Sequence, residues 1–399
     1  MASTVGFQSQ IEDQLHPLLK NDSASGSESD AAHPLNHNQK TTRSLFSTTA
    51  RSGAYLPICF LPLAITAGYM QWNPVLVFVY NFFAIVALSA LISDSSDQLS
   101  NHAGDLGGAV IDTVPRKAVI LSLGAWAVAS REIYVAQSMV IGGILSDILL
   151  IFGSSLIAAS RKTNILYFPK PLTSALSPLM LVTATVLILP SVLNVTFPYE
   201  LGDRTVSFSR GTSIILLCVY AGYLYFQLGT HRHLFRREQA DAHCTAASSP
   251  IPALLTLFLS TLATIPCTRY LADTLVITAA RTGLSKTFLA ATLVPLACTA
   301  ASGMTLARAC ARSEDVDAAI RASVQHVVHV GLFAMPVLVV LGWVLGKPMT
   351  LVFDEFETAV LFFAVFLVNG LLHGGKYSVV HGLALVALYA ILTLAFCVR

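Results

Sequence analysis

Residues 135–157 read VAQSMVIGGILSDILLIFGSSLI. A membrane-spanning helix needs about 20 mainly apolar residues, and this stretch meets that length with one charged side chain, Asp147. Its apolar residues run on without the period-two alternation of a barrel strand. A helix also satisfies every backbone polar group within the segment, as lipid requires. The stretch is therefore a helix in a membrane, and an ionisable residue inside such a helix is costly and usually functional.

The same reading extends in both directions. Apolar runs of spanning length centre near Leu63, Phe83, Val119, Leu145, Met180, Leu217, Leu259, Val294, Phe333, Val365 and Val386. The fold class that follows is an all-α membrane protein of about eleven transmembrane helices. Composition agrees: 54% of the 399 residues are hydrophobic and only 12% are charged, against about 25% charged in soluble domains. Cys59, Cys218, Cys244, Cys267, Cys298, Cys310 and Cys397 are scattered without a Cys-x-x-Cys pair. They read as buried thiols, neither a disulfide framework nor a metal site.

Residues 1–51 are polar and rich in Ser, Asn, Asp and His, and are expected to be a disordered cytosolic tail without a cleaved signal. Residues 231–249 form the longest polar break, a cytosolic linker that divides the spans into six (within 52–230) and five (within 250–399). The positive-inside rule puts Lys40, Arg43, Arg51, Arg161, Lys162, Arg232, Arg236 and Arg237 on the cytosolic side. Asn194-Val195-Thr196, a glycosylation pattern, then falls on the luminal side. The Arg232–Arg237 cluster is a topology signal, with lipid head groups as its alternative partner, and no run of nucleic-acid-binding type is present.

Two segments carry a family resemblance. Gly104-Asp105-Leu106-Gly107-Gly108, Arg131-Glu132-Ile133, Gln137-Ser138 and Gly142-Gly143-Ile144-Leu145-Ser146-Asp147 follow one another in the first. Leu271-Ala272-Asp273-Thr274, Gly283-Leu284-Ser285, Leu293-Val294-Pro295, Leu341-Gly342-Trp343, Phe356-Glu357-Thr358 and Asn369-Gly370 follow in the second. In order and spacing they resemble the vacuolar Ca2+/H+ exchangers of the Ca2+:cation antiporter superfamily. The resemblance implies one leading helix, two inverted five-helix repeats, and a site at the midplane where the repeats meet. It also implies a glutamate ligand from each repeat. Here Ile120 and Ser302 stand at those positions, Gly303 replaces the usual histidine, and Arg116 and Lys117 bring two cations nearby.

The remaining ionisable residues are the site candidates. Asp112 is spaced to pair with Arg116 at i,i+4. Asp147 replaces the family's asparagine and is isolated unless Lys117 or Arg116 reaches it. Asp273 is spaced to pair with Arg269. His326 and His329 share a helix face, and two such ligands alone make a weak metal site. Trp126, Tyr134 and Trp343 read as interfacial belt residues, and Glu132 as a loop residue.

With both family glutamates gone, the chain also resembles the exchanger-like membrane terpene cyclases of fungal ascochlorin-type meroterpenoid clusters. That resemblance implies an enzyme on an endomembrane (endoplasmic reticulum or vacuole) whose partner is a lipophilic, epoxidised, prenylated aromatic substrate. Asp147 or Asp112 would protonate the epoxide, His326 or His329 would accept a proton, Trp126 would stabilise the carbocation, and neither metal nor cofactor would be needed. The alternative is a Ca2+/H+ or other cation/H+ antiporter with an altered ion site.

Overall fold

The computed structural model describes residues 59–100, 102, 104–161, 166–167, 170–197, 204–227, 250–313 and 316–399. The expected tail (1–51) and linker (231–249) lie outside the described residues. Eleven helices stand at the eleven expected centres. They are α1 (Phe60–Tyr69), α2 (Pro74–Ser100), α3 (Gly104–Ala129), α4 (Ile133–Ala159), α5 (Lys170–Thr196) and α6 (Thr205–Tyr225). After them come α7 (Pro250–Thr282), α8 (Lys286–Ser313), α9 (Asp317–Val344), α10 (Glu355–Gly374) and α11 (Val379–Val398). Among the described residues, nine of them are long and apolar enough to cross a membrane, α1 and α3 completing the set. The chain is an integral membrane protein.

Contacts between distant loops test the span count. Strand β1 (Leu166–Tyr167), before α5, pairs antiparallel with β2 (Lys376–Tyr377), after α10. Six helices separate them, an even number, so both lie on one face. On the other face Arg281, at the end of α7, donates to Asn73, just before α2, at 3.2 Å, again across six helices. Counterpart helices in α2–α6 and α7–α11 are five apart, an odd number, so they cross in opposite directions. The packing repeats accordingly: α4 packs on α8, and its counterpart α9 packs on α3.

Lipid offers no hydrophobic drive between helices, so close backbone approach at small residues does the packing. A Cβ built at Gly142 would collide with the carbonyl group of Ala291, where α4 crosses α8. Gly153 and Gly382 face each other where α4 crosses α11, with a Cβ at either one only 2.7–3.0 Å from the other's carbonyl oxygen. Three helices widen into π-helical turns in their middles, at Ser146–Ile151 in α4, Leu289–Leu293 in α8 and Val330–Ala334 in α9. Such turns recur at functional sites. The expectation of buried thiols holds for Cys267 and Cys310, whereas Cys59 and Cys218 are exposed.

Asp354 caps α10, accepting from the amides of Phe356 at 3.0 Å and Glu357 at 3.4 Å, and pairs with Arg399 beyond the end of α11. Burial pushes the Asp354 carboxyl up, but the bonds from Arg399 and the two amides outweigh it and hold it below the ordinary carboxylate value.

Two outcomes follow. Gly142→Ala is expected to destabilise the protein by about 3 kcal/mol through overpacking. Gly370→Ala, where nothing lies within 4 Å, should stay within about 0.5 kcal/mol of the parent; thermal denaturation in detergent reads both. A carboxyl with a lowered folded pKa contributes stability above its unfolded value, about 3.9, and loses it as pH falls through the folded one. Melting scans from about pH 5 downward should therefore show Tm falling, with Arg399→Ala lower at neutral pH and less acid-dependent across that window.

Candidate functional site

The widened turn of α4 carries Asp147, which is buried at 5% exposure in a lipid-embedded bundle. A carboxylate there needs a counter-charge or a proton. Two helices bring partners. Lys117 arrives from α3, 8% exposed, and its Nζ lies 2.8 Å from His326 Nδ1 on α9. The same Nδ1 pairs with a carboxylate oxygen of Asp147. One ring nitrogen holds either a lone pair or a hydrogen. His326 Nδ1 therefore accepts from Lys117 or donates to Asp147, but cannot do both at once. Shifting one proton within Lys117, His326 and Asp147 exchanges which pair is bonded. His326 Nε2 is buried without a partner and lies beside Gly143 and Ile120, 4.0 Å and 3.6 Å respectively separating the ring nitrogen and the Ile120 Cδ1 from a Cβ built at Gly143.

Around this centre the walls alternate between oxygen and hydrocarbon. Ser146 Oγ faces Thr299 Oγ1 of α8 at 3.4 Å, and Thr299 donates its own hydrogen to Pro295 O at 3.0 Å. Ser302 donates to Thr299 O at 2.9 Å. Gly303 is required by close approach: a Cβ there would sit 2.8 Å from Ile151 Cγ1 in the π turn of α4. One turn on from His326, His329 Nδ1 meets Tyr220 Oη of α6 at 3.0 Å, and Tyr220 stacks on Phe333 with ring centres 5.0 Å apart.

Of the residues singled out from sequence, Asp147, His326 and Lys117 come together. His329 belongs to the adjoining aromatic cluster. Asp112 lies in α3, and its side chain is outside the described residues. Arg116 reaches α2, where it pairs with Asp97 at 2.6 Å and donates to Ser93 at 3.0 Å. Neighbours in sequence on a helix point about 100° apart, so Arg116 and Lys117 serve different helices. Asp273 pairs with Arg269 at 3.8 Å as its spacing suggests, and also accepts from Trp126 Nε1 at 2.7 Å. Trp126 is capped by Arg269 at 4.7 Å and stands nine residues, about 13 Å, along α3 from Lys117.

Sequence reasoning passed over a second buried carboxyl. Glu357 has no exposed surface; its Oε1 accepts from Ser138 at 2.5 Å and Tyr134 at 3.5 Å, while Oε2 has no partner. Tyr134, expected in an interfacial belt, instead ties Glu357 to Thr287 of α8 at 2.8 Å. The signal was the acid three residues past the Asp354 cap, which reads as an ordinary helix start.

The profile of the sodium/calcium exchanger protein family matches residues 73–229 and again residues 252–398. The chain belongs to the sodium/calcium exchanger family. The double match coincides with the halves α2–α6 and α7–α11, the inverted repeat that helix parity requires. The vacuolar calcium ion transporter of Schizosaccharomyces pombe is 32% identical over 354 residues, 86% of this chain and 84% of its own. Vacuolar cation/proton exchanger 1b of Oryza sativa subsp. japonica is 28% identical, over 84% of this chain and 78% of its own. The structure of native YfkE shares the fold with a TM-score of 0.74 at 23% identity, covering 86% of this chain and 98% of that one. The H+/Ca2+ exchanger CAX does so at 0.68 and 16% identity, covering 90% and 93%.

Family and relatives are transporters, and they overturn the reading of this exchanger-family chain as an enzyme, a terpene cyclase. The geometry gives a physical reason. Asp147 is held by His326 beside an ammonium group and is not a free acid facing a substrate. A cavity of about 540 Å3 between α5 and α10 is lined by residues such as Ile188, Leu189, Val192 and Phe362 and by no member of the Lys117–His326–Asp147 centre.

Removing one member of a buried charge pair leaves the other uncompensated. Lys117→Met alone is expected to cost about 3–5 kcal/mol. Lys117→Met combined with Asp147→Leu should cost less than the sum of the singles by about 1–3 kcal/mol, read from a double-mutant cycle of unfolding in detergent.

Proposed function

We propose that the chain is a proton-coupled cation antiporter of an endomembrane, with an ion site rebuilt around Asp147. The observation that carries this is the Lys117–His326–Asp147 centre, buried between α3, α4 and α9 at the meeting of the two inverted halves. In inverted-repeat transporters the site lies at that junction and access alternates as the halves rock. A cation can reach Asp147 only by displacing the partners already there, so the site holds either the protein's own positive groups or the transported ion. That mutual exclusion is the logic of exchange.

The vacuolar names of the S. pombe and rice relatives support a vacuolar membrane. The basic residues near the first span and between α6 and α7 support a cytosolic N-terminus, which places Asn194 in the lumen. Asp147 is the ion-binding residue of this reading, with Lys117 and His326 as the groups that compete with the ion. Asp112 and His329 are candidates for the approach to it.

The test uses the full chain reconstituted in liposomes with an acid interior, with pH followed by a fluorescent amine while external salts are added. At least one cation should collapse the gradient. Asp147→Asn should slow that collapse at least tenfold, and Asp273→Asn should leave it unchanged. Wild-type protein, correctly folded by size-exclusion profile, that lets none of Na+, K+, Ca2+ or Mn2+ collapse the gradient would reject the antiporter.

A further inference from the structure

The geometry points to Glu357 as a proton-binding site, one whose negative charge fastens the two halves together on the luminal face and whose protonation loosens them. The inference rests on the antiporter reading and adds to it a residue for the proton, apart from the Asp147 centre.

Helix parity fixes the place. Even-numbered helices begin on the face of Asn73 and Arg281, so the first turns of α4, α8 and α10 lie on that face. The cytosolic N-terminus proposed above makes it the luminal one. Glu357 sits in the first turn of α10 with no exposed surface. Its carboxyl joins the halves. Ser138, on α4 in the first half, donates to Oε1 at 2.5 Å, and Tyr134 adds a longer bond at 3.5 Å. Tyr134 also meets Thr287 of α8, back in the second half, at 2.8 Å. Between them in sequence, Gln137 donates to Thr350 O at 2.9 Å and Val352 O at 2.8 Å, in the loop before α10. These bonds form one cross-half patch, with Glu357 as the acid within it.

Two opposing demands meet at this carboxyl. The anion is favoured by its hydroxyl donors and by its place at the positive end of α10. Against it stand burial and a bare oxygen, since Oε2 is buried without a partner. Among the described residues its side chain bonds to Ser138 and Tyr134, and neither is a cation. The charges that reach it belong to Asp354 and Arg399, which pair with each other. On α5, packed along α10, residues from Met180 to Thr196 include no ionisable side chain. On α4 the titratable neighbour is Tyr134. A buried carboxylate needs a counter-charge or a proton. Asp147 has its counter-charge in Lys117 and His326; at Glu357 one proton from luminal water, bonded to Oε2, removes the charge.

That proton changes the fastening. A hydrogen bond to a carboxylate is roughly twice as strong as one to a neutral group. Ionised, Oε1 holds Ser138 across the halves. Protonated, Oε1 accepts as a carbonyl oxygen, and Tyr134 is free to give its single hydrogen to Thr287. An acid lumen thereby eases the rocking through which access alternates.

The test uses the purified full chain in lipid nanodiscs. Infrared difference spectra between alkaline and mildly acid buffer read carboxyl protonation, with the acid end kept above the pH at which Asp354 releases Arg399. Hydrogen–deuterium exchange over residues 133–139 and 349–357, corrected for the intrinsic pH dependence of exchange, reads the patch. Wild type is expected to gain a protonated-carboxyl band on acidification that Glu357→Gln lacks. Exchange across the patch should rise in parallel by roughly tenfold or more. Glu357→Gln, neutral at every pH, should exchange fast in both buffers. Ser138→Ala removes a donor to the charged form, so the band should appear at higher pH, with fast exchange already in alkali. This variant decides the matter if Glu357→Gln fails to fold.

A band indifferent to these substitutions, or exchange across the patch that does not change with pH, overturns the inference. Both readouts are taken without transport. They therefore decide it separately from the antiporter reading, which stands or falls on gradient collapse by the wild type.

Discussion

An acid in the middle of a lipid-embedded bundle must be met by positive charge or by a proton, and the arrangement of the central helices answers that demand at Asp147. Lys117 has to come from α3 and His326 from α9, so both helices must pack against the widened turn of α4. That turn is itself an irregularity lipid would not tolerate on an exposed helix. It is admitted because its residues are buried by α8, α9 and α11. The charged centre and the irregular backbone therefore stand in the same place for the same reason: both need a wall of protein on every side.

Packing at that depth relies on contact between backbones more than on large side chains. Gly142 lets α4 lie against the carbonyl of Ala291, and Gly303 lets α8 lie against Ile151. These two crossings flank Asp147 on α4. Together they bring Thr299 opposite Ser146, with Ile120 beside Gly143. A hydrocarbon side chain in that position narrows the space next to His326 Nε2.

Much of the architecture was legible in the order of residues. Eleven apolar runs became eleven helices because lipid leaves a continuous apolar segment no other way to satisfy its backbone polar groups. Asp147 stood out as a lone charge in its run. Partners were harder to read, since the contact between Lys117 and His326 joins residues 209 apart in the chain, and helical spacing gives a face without saying what lies opposite. Arg116 illustrates the limit: helical spacing gave no sign of Asp97, on the preceding helix, as an acceptor at 2.6 Å. Glu357 was hidden for a different reason. It begins a helix, where acids are ordinary, and only the convergence of α4, α8 and α10 shows it to be sealed from water. The enzyme reading followed from what the chain lacks at Ile120 and Ser302; the family match across both halves gives more weight to what it retains.

The short ladder between β1 and β2 carries a mechanical consequence. It joins the loop after α4, in the first half, to the loop after α10, in the second, by main-chain bonds in a fixed register, Leu166 with Tyr377 and Tyr167 with Lys376. On the opposite face the loop before α10 is tied to the first half as well: Gln137 donates to Thr350 O at 2.9 Å and to Val352 O at 2.8 Å, and Ser191 accepts from the Phe353 amide at 2.8 Å. Both rims therefore carry bonds across the halves, and rocking of one half against the other must stretch or break bonds at one of them.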